Sequence, residues 1–302
     1  MIAMKASFPT SPDSAVDAQG NPALGSNSQT PHLVWSKPLG DPLGGTQLAN
    51  GRHQVKMFEP EAGSETPAAS PFILLGSLRF SDACLRTYAH PQLLKVAETI
   101  NGKDFAPFNE ALFIKEPGIG AAVSWHQDGV THWHASNWDA GIHGFNFQVQ
   151  LYDCTPRNCL WVVPGTHKQG KIDIKQMVSE NGGSDQLPGA VPLMCKAGDV
   201  TIVNRQALHG SFANTSPDLR VSLTFGFHRR ASVLGQTGAL SQTDNETYDE
   251  QRIFDRSAVI PIAIDARANH YKDESRFEYQ PFLKIIEKFQ DTEANRAKYL
   301  MD

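Results

Sequence analysis

Trp125-His126-Gln127-Asp128-Gly129 sets an imidazole and a carboxylate two residues apart. In a strand, side chains alternate with period two, so His126 and Asp128 would face the same way. One imidazole nitrogen and one carboxylate oxygen side by side make two facial ligands for a divalent metal of borderline softness. A third can come from far downstream, and His209 in Ala207-Leu208-His209-Gly210-Ser211 is the best candidate. Two histidines, one carboxylate and open positions form the ligand set of non-haem Fe(II) oxygenases. By itself His-x-Asp is a weak pattern, and an ordinary satisfied histidine is the commoner occurrence.

Arg220 strengthens the case. It lies eleven positions after His209, at the start of an alternating segment. A guanidinium fixed inside a barrel is the natural partner of a carboxylate that must bind in bidentate fashion. Ser211, two residues after His209, shares that histidine's face and could add a hydrogen bond. His132-Trp133-His134, Trp138 and His143 follow the motif closely. His-x-His also opens a cupin metal site, but the acid expected next is replaced by Ala135-Ser136-Asn137. A pocket-lining loop is therefore expected, with His132 and His134 touching substrate and Trp133 and Trp138 either touching it or packing at the rim. His167 sits in a turn and is expected to make a structural hydrogen bond. Arg229 and Arg230 read as a solvated pair ending a strand.

Short strands must position these groups. Ala111–Lys115 ends at a Glu-Pro-Gly turn, and Phe145–Tyr152 alternates apolar and polar residues without a break. Leu160–Val163, Asp199–Asn204 and Arg220–Phe227 complete the set. Strands separated by Gly and Pro turns point to a mainly β sandwich or barrel flanked by helices. Ser81 can cap one helix, and His90-Pro91 opens another that Gly102 stops. Residues 168–197 form the longest stretch between strands and read as a lid over the site. The tail from about Asp273 reads as a helical extension. Residues 1–30, poor in large apolar side chains, read as a mobile arm, and 31–302 as a single domain.

Composition narrows the partners. Of 302 residues, 27 are Lys or Arg and 32 are Asp or Glu, giving a net charge of −5. That balance argues against a nucleic-acid partner, which calls for a basic footprint. No apolar run approaches the roughly 18–20 residues of a membrane span. The four cysteines are scattered without a CxxC pair, as in a cytoplasmic protein with reduced thiols. A small-molecule ligand and a monomer or homodimer are expected.

Taken together, His126-x-Asp128, Val163-Pro164-Gly165-Thr166-His167-Lys168, Ala197-Gly198-Asp199 and His209 with Ser211 and Arg220 resemble the phytanoyl-CoA dioxygenase family. The likeness covers about residues 85–230, whereas residues 1–75 lack the family's usual opening. It implies a double-stranded β-helix (a jelly roll), one Fe(II), 2-oxoglutarate as cosubstrate and O2 as oxidant. By that resemblance His126, Asp128 and His209 hold iron, and Arg220 and Ser211 hold the distal carboxylate of 2-oxoglutarate. Lys115 corresponds to a lysine near the cosubstrate, and Gln148 or Gln150 takes a strand position beside it. The activity implied is hydroxylation of an unactivated C–H in a soluble metabolite, releasing succinate and CO2. Two other readings stay open: a cupin-type isomerase or dioxygenase independent of 2-oxoglutarate, and a non-catalytic jelly-roll binding protein.

Overall fold

The computed structural model describes residues 32–47, 51–128, 144–238 and 246–300. The expected arm at 1–30 lies outside the described residues. The alternating segments become strands, in chain order β1 (His32–Ser36), β2 (Ser70–Leu75), β3 (Ala106–Lys115), β4 (Val123–His126), β5 (Gly144–Gln150), β6 (Leu160–Val163), β7 (Val191–Leu193), β8 (Val200–Asn204), β9 (Leu208–Ser211) and β10 (Arg220–His228). They form a larger sheet ordered β1-β2-β3-β10-β5-β8 and a smaller one ordered β4-β9-β6-β7. From β3 to β10 the chain passes repeatedly from one sheet to the other, and every pairing is antiparallel. This winding is a double-stranded β-helix.

Register decides which side chains enter the barrel. Ser222 faces Gln150, Thr224 faces Gln148 and Gly226 faces Asn146 across β10 and β5, while Arg220 faces Lys115 across β10 and β3. Residues directly opposite in an antiparallel pair share a face. One face of the larger sheet is therefore a polar row. The intervening residues Phe147, Val149, Leu223, Phe225 and Phe227 point the other way into the main apolar core.

Helices cover that apolar face: α1 (Ser77–Phe80), α2 (Asp82–Tyr88), α3 (Pro91–Asn101), α4 (Ile174–Glu180), α5 (Arg230–Val233), α6 (Glu250–Ser257), α7 (Val259–His270) and α8 (Glu293–Tyr299). All but α4 contribute residues to this layer or its margin, α5 through Val233. Ser81 caps α2 through Cys84 N–H. His90 accepts from Gln92 N–H ahead of Pro91, and Gly102 ends α3 at φ 101°, as expected. In α7, Val259, Ile260, Ile262, Ala263 and Ile264 are all buried. A helix apolar on every side is a core helix. Among the described residues no helix is long and apolar enough to cross a membrane.

Several expectations are corrected. β3 starts at Ala106 rather than Ala111. The segment 168–197 is not a bare lid: it contains α4, capped by Asp173, and β7. Ile174 and Leu187 are buried against Trp125 and Leu208, on the outside of the smaller sheet. Apolar side chains at 172, 174, 177, 178 and 187 dock the segment there, away from the barrel interior. The C-terminal extension is helical only from Gln280, as a 3-10 helix to Phe289 and then α8.

Candidate active site

β4 and β9 pair so that His126 lies opposite His209. The ring nitrogens are sorted by backbone contacts. His126 Nδ1 lies 2.8 Å from Ser124 O, and His209 Nδ1 lies 2.8 Å from Ala207 O. Since a carbonyl only accepts, each Nδ1 carries the proton, and each Nε2 keeps a lone pair. His126 Nε2 is 3.5 Å from Asp128 Oδ1, and His209 Nε2 is 3.5 Å from Asp128 Oδ2. The three ligand atoms lie within 4.8 Å of one another, and all three residues are buried. Burial, with His209 alongside, pushes the His126 imidazole down to about 4, so it stays neutral as a ligand must. Burial alone would raise the Asp128 carboxyl, but the Arg205 guanidinium holds it well below the ordinary range. Two lone-pair imidazoles and one ionised carboxylate, converging in a buried spot, fit a divalent transition metal.

The flanking residues of the motif face outward, as period two requires. Trp125 Nε1 donates to Asp185 O at 2.7 Å. Gln127 donates to Gly170 O and Gln206 O and accepts from Ile172 N. The segment read as a lid is thus the clamp behind the ligand strand. Inside, Asn146 donates to Asp128 Oδ2, and Arg205 donates to Asn146 Oδ1. Arg52 Nη1 approaches Asp128 Oδ1 to 3.4 Å. His53 stacks on His126 with centroids 4.2 Å apart and shares a 3.0 Å contact with Ser124 Oγ.

Arg220 is 2% exposed and enters the polar row. Its Nη2 donates to Gln148 Oε1 at 3.2 Å, and its Nε has no partner. Among the described residues no carboxylate faces it. Cys159 and Cys195 are near, but burial pushes their thiols up to about 12 and about 11, so neither is a counter-anion. Gln150 Oε1, Ser222 Oγ, Thr224 Oγ1 and Thr201 Oγ1 are likewise buried without partners. Ser211 is buried on the face of β9 that carries His209. Lys115 is opposite Arg220, but its ammonium donates to Ala121 O and to Phe212 O. Burial and then Arg220 push it well below the usual lysine range. Its observed bonds tie β3 to the turn before β4 and to the end of β9.

Trp133, His132, His134, Trp138 and His143 lie outside the described residues. Arg230 pairs with Glu250 at the surface. In the turn after β6, Thr166 makes the structural bonds expected of His167, donating to Val163 O and accepting from Leu208 N. Asn146, Arg205, Arg52 and His53 were not anticipated. Asn146 was within reach, since it stands two residues before Gln148 on an alternating strand.

A family model described as phytanoyl-CoA dioxygenase matches residues 46–222, more than half of the chain. "Phytanoyl-CoA dioxygenase 1" of Oryza sativa subsp. japonica is 32% identical over 117 residues, covering 36% of this chain and 40% of that protein. "L-proline trans-4-hydroxylase" of Streptomyces griseoviridis is 26% identical over 193 residues, covering 56% of this chain and 72% of that protein. The crystal structure of EctD from S. alaskensis with bound Fe is 20% identical, with a TM-score of 0.47 over 61% of this chain and 64% of that one. The match to the rice relative thus spans less than half of that protein's length.

Proposed function

The chain belongs to the phytanoyl-CoA dioxygenase family, and from that membership and the geometry above we propose that it is an Fe(II)- and 2-oxoglutarate-dependent oxygenase hydroxylating a small molecule. The observation that carries this reading is a buried guanidinium with no acid beside it among the described residues, in the same barrel as a convergent imidazole–carboxylate–imidazole set. A buried cation calls for an anion, because an unpaired charge in a low-dielectric interior is costly. 2-Oxoglutarate would supply that anion at its far end, beside the orphaned hydroxyls of the polar row.

His126, Asp128 and His209 would hold the iron, which supplies the oxidation and couples O2 to the decarboxylation of 2-oxoglutarate. The remaining work belongs to the chain. Ser124 O and Ala207 O hold both imidazoles in the ligand tautomer. Asn146 aims Asp128, and Arg205 holds Asn146. Arg220 anchors the distal carboxylate while Gln148 orients Arg220, with Ser211 on the facing strand adding a donor. Asp128 also occupies the position that a halide would need, which favours hydroxylation.

Anaerobic titration of the protein with Fe(II) and 2-oxoglutarate tests the reading. A weak visible charge-transfer band is expected, and His126→Ala is expected to abolish it along with tight iron binding. A wild-type protein that binds iron but never develops the band would overturn the assignment of 2-oxoglutarate.

A further inference from the structure

We propose that Arg52 binds an anionic group of the substrate, a carboxylate, phosphate or sulfate, at the mouth of the metal site. The inference rests on the oxygenase reading above and names the substrate class for that same site.

Arg52 belongs to an irregular segment that is nevertheless firmly held. Asp41 accepts from Gly44 N and Met57 N, and Gln54 bonds both Ile172 O and Ile174 N. Between these ties His53 is buried against His126. The backbone at 52 is therefore fixed beside the ligand strand. The Arg52 side chain is 17% exposed, against 8% and 6% for the two ligand imidazoles, so it leads from the site toward solvent.

Its contacts are few and long. Nη1 is 3.4 Å from Asp128 Oδ1, and Nε is 3.4 Å from His53 Nε2. An arginine serving to hold a carboxylate typically does so with two parallel bonds of about 2.7–2.9 Å. Arg52 does not, and Asn146 already holds the other oxygen of Asp128. Most of its five N–H donors remain to be used.

The charge balance gives the same answer. Among the described residues, the guanidinium of Arg52 stands against the single carboxylate of Asp128. A divalent ion adds two positive charges, and the 2-oxoglutarate dianion offsets two, its distal end already being matched to Arg220. One positive charge is left over beside the open side of the site. A neutral substrate would leave it there, whereas an anionic one cancels it and takes the spare donors of Arg52. The cosubstrate is the less suitable source of that anion, because the unpartnered hydroxyls and Arg220 lie on the larger sheet, whereas Arg52 reaches the ligands from the His126 side.

The test uses the anaerobic complex of the full chain with Fe(II) and 2-oxoglutarate, probed with sodium sulfate, sodium acetate and neutral acetamide against a chloride background of constant ionic strength. Sulfate and acetate are expected to shift the visible band saturably, and acetamide is not. In Arg52→Gln the half-saturating sulfate concentration should rise about tenfold or more, and Arg52→Lys should restore most of the response. Iron and 2-oxoglutarate affinities measured on the same samples separate the alternatives. A fall in 2-oxoglutarate affinity in Arg52→Gln would assign Arg52 to the cosubstrate, and a fall in iron affinity with the sulfate response kept would make it a support for Asp128. Either result overturns the proposal, as does an equal sulfate response in wild type and Arg52→Gln. A band that forms in wild type but ignores both anions sinks this inference alone. A band that never forms removes the oxygenase reading and this inference with it.

Discussion

Replacing Arg220 with methionine separates a binding role from a structural one, because the two roles move stability in opposite directions. Arg220 is 2% exposed, makes one hydrogen bond, to Gln148, and leaves Nε without a partner. Replacing a poorly compensated buried charge by an apolar side chain of similar length is neutral or stabilising by about 1–4 kcal/mol. Ligand-free Arg220→Met is therefore expected to melt no lower than wild type. Binding should collapse, since truncating one side of a buried charge pair costs about 2–5 kcal/mol, or roughly 30-fold and upward. With 2-oxoglutarate at about a hundred times the wild-type Kd, linkage adds about 2.7 kcal/mol to wild type. At the same concentration a 30-fold weaker variant keeps only about 0.9 kcal/mol. The assay is thermal unfolding of both Mn(II)-loaded proteins, with and without 2-oxoglutarate. A variant that melts well below wild type without ligand, yet gains as much from 2-oxoglutarate, would show that Arg220 is a structural anchor and would refute the reasoning.

Asn146→Leu removes the bridge between Asp128 and Arg205, so metal affinity should fall by about 10–100-fold with little change in unfolding midpoint; metal titration by calorimetry measures it, and unchanged affinity removes Asn146 from the site. Gly226→Ala places a Cβ 2.9 Å from Asn146 Oδ1 and 3.1 Å from Arg205 Nη1, so the same loss should appear in milder form in a folded protein. Near-identical metal binding in that variant would mean that Asn146 can give way without disturbing Asp128. Gln127→Leu strips three bonds that pin 170–172 and 206 behind the ligand strand, and urea unfolding should report a loss of about 2–5 kcal/mol. A loss below about 1 kcal/mol would show that the clamp is carried by apolar packing alone.

The convergence of His126, Asp128 and His209 and the burial of Arg220 were legible because their signals are local: period two aligns His126 with Asp128, and a strand start after His209 brings Arg220 inside. Ser81, His90-Pro91 and Gly102 were legible for the same reason, since capping is chemistry between near neighbours. What escaped depends on distant chain. Nothing near Arg52 and His53 marks a strand or helix; Asp41 and Gln54, through contacts with Met57, Ile172 and Ile174, put them beside His126. Residues 168–197 were misread because glycines and prolines outweighed a sparse apolar face, Ile174 and Met177–Val178, that becomes meaningful only against Trp125. The residues after the motif, with Trp133 and His134, remain an expectation.

Two glutamines beside the site show how the fold separates scaffold from pocket. Gln127 and Gln150 are both buried, at 0% and 2% exposure. Gln127 points outward from β4, and both ends of its amide are bonded to backbone. Gln150 points along the polar row, and its Oε1 has no partner. An unsatisfied buried polar group costs about 1–3 kcal/mol, so a chain selected for stability alone would leave few of them. Here five such atoms, Gln150 Oε1, Thr201 Oγ1, Arg220 Nε, Ser222 Oγ and Thr224 Oγ1, share one face of β10, β5 and β8, with Arg220 at one end and Asn146, which holds Asp128, toward the other. Groups left unpaired in the protein, lined up between a cation and a set of metal ligands, are pairing capacity kept for something that arrives later. A ligand with a carboxylate at one end and metal-binding oxygens at the other matches that line in polarity and in order. The same reasoning separates this chain from a jelly roll that has lost its metal: with nothing left to bind, the orphaned hydroxyls and the guanidinium would be the first positions at which apolar substitution brings stability.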